Sequence, residues 1–201
     1  MGEARRRKAE IEKLKARVGN WYGGLQGPDK TVADVAIAAF KKIIVAHDLT
    51  GGCYNLAFFL REHLRRQHGI EVEMVVGWVT DDSWDGGISH AWIEHNGRKT
   101  DISIWNTEHP EAQLPGAVLI HDFDYQIGET VYTYHRELPP SAKEYLVAAA
   151  ENQEFGAMYR HKDAEHAWVH GLAANPEGAT EYFSKAPPEM KYEALARMLT
   201  V

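Results

Sequence analysis

The dipeptide Asn96-Gly97 constrains this chain more than any other feature. Both residues accept the positive φ angles of a two-residue type I′ turn, and β-type alternation flanks them on both sides. The stretch "ISHAWIEHNGRKTDISIW" (88–105) therefore reads as a β-hairpin. A two-residue turn pairs His95 with Arg98, which sets His90 opposite Ser103 and Asp101 opposite Trp92. Side chains alternate with period two, so His90, Trp92, Asp101 and Ser103 share one face. Ala91, Ile93, Ile102 and Ile104 share the other, a core face, so a half-buried hairpin is expected. His90 and Asp101 become diagonal neighbours, about 7–8 Å apart at Cα and within side-chain reach. A register slip of one residue would separate them to opposite faces.

An imidazole with one nitrogen held by a carboxylate has a fixed tautomer and leaves the other nitrogen free, the second half of a nucleophile–base–orienter set. Upstream, "DLTGGCYNLAFFL" carries the single cysteine of the chain, directly after two glycines. The pattern predicts a helix from about residue 52 to His68, closed by Gly69 as a C-terminal cap. Leu56, Ala57, Leu60 and Leu64 form its apolar stripe, and Cys53 lies on that stripe one turn ahead. A thiol at a helix start sits near free backbone N–H groups and the positive end of the macrodipole, both favourable to thiolate. Gly51 and Gly52 leave room for a substrate, and the Cys53 amide could donate to a developing oxyanion. Taken singly, a lone cysteine is most often a small buried hydrophobe and a strand histidine merely hydrogen-bonded. Taken together, in this order, the three are harder to attribute to chance.

The order Cys-helix, strand, "HAWIE" strand and Asp strand resembles the transglutaminase-like superfamily of the papain-type cysteine fold. "GGCYNLAFFLREHLRRQHGIEVEMVVGWV" is similar to that family's catalytic helix and following strand, and "HAWIEHNGRKTDIS" to its His-Ala-Trp segment with the Asp strand. The resemblance covers about residues 50–105. It implies an α+β core with the catalytic helix packed on an antiparallel sheet, Cys53 as nucleophile, His90 as base and later acid, and Asp101 as orienter. It also implies an amide, peptide or protein substrate, and no metal or organic cofactor. The His-to-Asp interval of eleven residues is shorter than the family's, and "TDIS" lacks the usual proline after Asp. A tight hairpin accounts for the first departure. The family often supplies a second oxyanion donor from an upstream side chain, which makes Trp21 and Gln26 of "NWYGGLQG" candidates beside the plainer reading of loop packing. Trp92 and Ser103 are substrate-rim candidates. The expected activity is acyl transfer through a thioester, with hydrolysis preferred to transfer onto an amine. The alternative is a catalytically silent binding or scaffold domain.

The rest of the chain frames this core. At 201 residues and 44 % apolar, it fits one domain with an appendage. Residues 1–18 hold seven Lys/Arg against three Glu, leaving 15 against 26 beyond, so neither the whole molecule nor its body invites nucleic acid. That start lacks an apolar h-region, no run is long enough to span a bilayer, and one cysteine cannot make an intrachain disulfide. A soluble, cytoplasmic protein is the expectation, with oligomeric state open. The expected division is a basic helical arm over 1–20, the catalytic core over 21–138 and a helical C-terminal extension over 139–201. The arm reads as a solvated or frayed helix over 3–18, with a partner-binding or anionic-surface role as the alternative, followed by a loop over 19–28. A helix over 31–48 and strands over 70–79, 117–123 and 130–137 complete the core. The tail breaks near "NPEG" and "APPE". His161, Asp163, His166 and His170 gather in one stretch, two of them at a zinc-compatible spacing, yet without an HExxH or HxxEH order. They read as a polar helix face, so no metal is expected. "HDFD" (His121, Asp122, Asp124) reads as a turn and "DDSWD" (Asp81, Asp82, Asp85) as a solvated loop.

Overall fold

The computed structural model describes residues 2–108 and 113–200, with side chains from Glu12 onward, so the side chains of Arg5, Arg6, Arg7 and Lys8 in the basic arm fall outside it. In chain order the elements are α1 (Gly2–Gly24), α2 (Gly27–Ala39, continued as a π-helical segment, Phe40–Val45), α3 (Cys53–His68), β1 (Glu73–Thr80), β2 (Ile88–His95), β3 (Arg98–Asp101), β4 (Val118–Ile120), β5 (Phe123–Gln126) and β6 (Thr133–His135). The helices α4 (Pro140–Ala149), α5 (Gln153–Ala173), α6 (Gly178–Lys185) and α7 (Tyr192–Thr200) follow. The protein is thus α+β, and the described residues form one six-stranded antiparallel sheet in the order β5-β4-β3-β2-β1-β6. Among the described residues no helix is long and apolar enough to cross a membrane.

Asn96 and Gly97 turn the chain with φ of 53° and 71°. The ladder they close pairs His95 with Arg98, Glu94 with Lys99 and Ile93 with Thr100, in the expected register. The hairpin is not half-buried, however. β2 lies inside the sheet, with β1 along its other edge and Gly77 opposite His90. Ala91 and Ile93 face the main core, while Val79, Ile104 and Tyr132 form a second cluster joined by Ile88 and Tyr134. Ile104 therefore leaves the core face expected for it. The cause is local: β3 ends at Asp101, whose Oδ1 accepts from the N–H and the hydroxyl of Ser103 at 2.9 and 2.8 Å. This Asx-type turn diverts the chain before Ser103 can pair with His90.

α3 is closed by Gly69 in the left-handed conformation (φ 65°), as a Schellman end requires. Its stripe of Leu56, Ala57, Leu60 and Leu64 is buried, but so are Tyr54, Phe58 and Phe59 on other sides. The C-terminal helices explain this. Tyr182 of α6 stacks on Phe58 at 4.6 Å, Tyr192 of α7 packs on Phe59, and His166 of α5 lies 4.5 Å from the Trp78 ring on β1. Val169, Leu172, Phe183 and Leu195 belong to the same buried cluster as Leu60 and Ile93, so the tail shares one core with the sheet.

Two expectations at the edges change. The predicted loop over 19–28 is mostly helix, because α1 runs on to Gly24. Trp21 stacks flat on Phe123 of β5 (4.4 Å, 4°), and Arg17 lies over the same ring. That packing outweighs the cost of helical glycines, about 1 kcal/mol each. The predicted strand over 117–123 is instead a second tight hairpin, β4 and β5 joined at His121 and Asp122 with φ of 53° and 59°. His121 is pinned there: its N–H donates to Thr100 Oγ1 at 3.1 Å, and its Nε2 donates to the Asp29 carbonyl at 2.9 Å. Asp29, in the first turn of α2, also accepts from His95 Nδ1 at 2.9 Å on Oδ1 and pairs with Arg98 through Oδ2. The start of α2 is thereby tied to both hairpin turns.

Candidate active site

His90 and Asp101 meet as the hairpin register requires. His90 Nε2 donates to Asp101 Oδ2 at 2.6 Å, with the residues only 4 % and 2 % exposed. Four donors converge on this carboxylate: His90, the Ser103 N–H, the Ser103 hydroxyl, and the Tyr134 hydroxyl at 2.7 Å from Oδ2. Tyr134 comes from β6, which lies beyond β2 and β1 from β3. In a flat sheet three strand spacings would hold β3 and β6 roughly 14 Å apart. The sheet is curled, and Asp101 sits inside the curl. Gly77 makes room there, since a Cβ would meet the Trp92 ring at 2.8 Å and the backbone oxygen of His135.

The electrostatics follow from this packing. Burial opposes charge on His90, but the Asp101 carboxylate, and then Cys53, outweigh it and push the imidazole up to about 10. Burial likewise opposes the Asp101 charge, yet His90, Tyr134 and Ser103 hold its carboxyl below the usual range. Burial and the neighbouring carboxylate raise Tyr134 well above an ordinary phenol, which keeps it a donor.

Cys53 is the first residue of α3 and is partly exposed. Cys53 lies near enough to the His90 ring to add, after Asp101, to the raising of its pKa. The first intrahelical bond of α3 runs from the Leu56 N–H to the Gly52 carbonyl at 2.8 Å, and no side chain caps the helix start. Among the described residues nothing accepts from the N–H groups of Cys53, Tyr54 and Asn55, which leaves them to a ligand. Tyr54 and Tyr182 also lie near the sulfur, and burial with Cys53 raises both phenols. The Tyr54 hydroxyl bonds His166 Nδ1 at 3.2 Å.

Other predicted site residues are placed elsewhere or otherwise employed. The Trp21 ring is stacked on Phe123 of β5. Gln26 is exposed at the head of α2, where its carbonyl accepts from the Lys30 N–H. Trp92 is 2 % exposed, donates to Glu94 Oε1 at 2.8 Å and packs edge-on against Tyr134, so it underlies the site rather than rimming it. Ser103 grips Asp101. Tyr134 and Tyr182 are neighbours of the candidate triad that local sequence patterns do not reveal, because each arrives from a distant element. His166 is occupied by Trp78 and Tyr54, and Asp81 by a local turn with Ser83.

No family model matches the chain, and no curated protein or solved structure matches it.

Proposed function

We infer that the protein is a cysteine-dependent acyl-transfer enzyme in which Cys53, His90 and Asp101 act as a triad. The observation that carries this reading is the buried His90–Asp101 pair, with four donors on the carboxylate and a helix-start cysteine near enough to the imidazole to help raise its pKa. The resemblance of residues 50–105 to the transglutaminase-like superfamily supports the same assignment. Asp101 fixes the ring so that Nδ1 faces the reacting groups. The thiolate attacks an amide carbonyl, and the oxyanion is met by the free N–H groups at the head of α3. The His90 imidazolium gives its proton to the leaving amine, which departs as the thioester forms. Neutral His90 then takes a proton from water, and hydroxyl addition followed by sulfur expulsion regenerates the thiol and releases the acid. Water is the preferred acceptor over an amine.

The test compares iodoacetamide addition to Cys53 in wild type and His90→Ala across pH. Wild type should react at least tenfold faster at pH 6.5, with the gap closing in strong base, where any thiol is ionised. Equal rates at every pH would remove the triad and leave a binding domain that retains the fold. A peptide aldehyde captured on wild type but not on Cys53→Ser, read by intact mass, would identify the electrophile class.

A further inference from the structure

A second cluster of chemistry-bearing side chains stands apart from the triad. His95 is five residues along β2 from His90, about 17 Å at strand rise. Asp29, His95 and His121 each offer one ligand atom, and the three atoms lie within 4.8 Å of one another. They arrive from the first turn of α2, the end of β2 and the turn between β4 and β5. This dispersal explains why no sequence spacing announces them.

His121 carries the argument furthest. The residue is 5 % exposed, its Nε2 donates to the Asp29 carbonyl at 2.9 Å, and its Nδ1 is buried with no partner among the described residues. A buried polar atom left alone is costly. A ring whose one N–H is fixed on a backbone carbonyl while the other nitrogen keeps a bare lone pair is the usual arrangement of a metal-ligating histidine. Asp29 divides its carboxylate in the same sense: Arg98 holds Oδ2, and Oδ1 faces His95 Nδ1 at 2.9 Å. His121 is also held at positive φ, a conformation that costs a non-glycine residue energy and persists here through its anchored N–H.

We propose that Asp29, His95 and His121 form a binding site for a divalent transition metal of the zinc type. Two imidazoles and one carboxylate suit such an ion, with solvent completing a four-coordinate shell. On entry the ion replaces the proton shared between His95 Nδ1 and Asp29 Oδ1, which passes to buffer. The ion clamps the head of α2 to both hairpin turns and takes no part in the chemistry at Cys53.

The experiment uses the full chain as Cys53→Ser, which removes the thiol as a rival ligand, after chelation and dialysis. Zinc chloride is titrated by calorimetry in buffers of different ionisation enthalpy, and melting is followed with and without zinc. One zinc per chain, proton release, and a melting temperature raised by roughly 5–10 °C at a free zinc hundredfold above Kd are expected. Asp29→Asn, which keeps the side-chain shape, and His121→Ala should each weaken binding at least tenfold. Absence of stoichiometric zinc would overturn the proposal. So would binding that survives both variants but is lost in His166→Ala/His170→Ala, which would put the ion on α5. Should His121→Ala fail to fold, Asp29→Asn alone decides between these outcomes.

Discussion

Replacing Tyr134 by Phe removes one oxygen and tests whether the curl of the sheet is what organises the site. The ring stays packed edge-on against Trp92 at 5.1 Å, so apolar burial is nearly unchanged. What is lost is a hydrogen bond of 2.7 Å to a buried carboxylate. A bond to a charged group contributes about 1.5–3 kcal/mol. Asp101 keeps three donors, which places the expected cost near the lower end, about 2 kcal/mol. For a chain of this size that is a fall of roughly 4–8 °C in Tm. Urea denaturation of wild type, Tyr134→Phe, Asp101→Asn and the double variant forms a cycle that isolates the pair. In the Asn background the hydroxyl meets a neutral amide, where a hydrogen bond contributes about 0.5–1.5 kcal/mol, so a coupling of about 1 kcal/mol is expected. A loss identical in both backgrounds would show that the hydroxyl does not act through Asp101, and the account of the site would fail with it.

Other outcomes follow from the same geometry. The raised His90 contributes stability that is complete below its ordinary 6.5, declines as the pH climbs above it, and is gone beyond about 10; the lowered Asp101 contributes above 3.8 and loses it on acidification. Unfolding free energies from urea denaturation should therefore fall between pH 6.5 and 10 by up to about 1.4 kcal/mol per pH unit, and Asp101→Asn should flatten that slope; a slope that persists would exclude His90 as its source. Gly77→Ala should cost about 1–3 kcal/mol by driving β1 from Trp92 and β6, read as a lower urea midpoint, and a neutral effect would refute the close approach. Trp21→Ala should lower Tm through lost packing on Phe123 while leaving the alkylation rate of Cys53 unchanged; a slowed reaction would restore the indole to the site.

The His90–Asp101 encounter was legible because one dipeptide sets a register and period-two alternation does the rest. The boundaries of α3 were legible for a similar reason, since Cys53 follows two glycines and Gly69 closes the helix. Features decided by distant contacts were hidden. The turn at His121 and Asp122 has no glycine to mark it and is held by Thr100 and Asp29. The helical course of residues 19–24 depends on Phe123, over a hundred residues on. Tyr134 sits on a three-residue strand whose local pattern says nothing of Asp101, and the C-terminal helices look peripheral until their aromatic rings are seen against Phe58 and Phe59.

β6 is short, lies at the margin of the sheet, and pairs with only one neighbour. Margins fray first, so its amides should exchange with solvent well before those of β2. Each such opening withdraws a phenol from the carboxylate that steadies the imidazole. The alignment of the ring is thereby tied to the most easily detached part of the sheet, and a partner that clipped β6 in place would tighten His90 without ever approaching it.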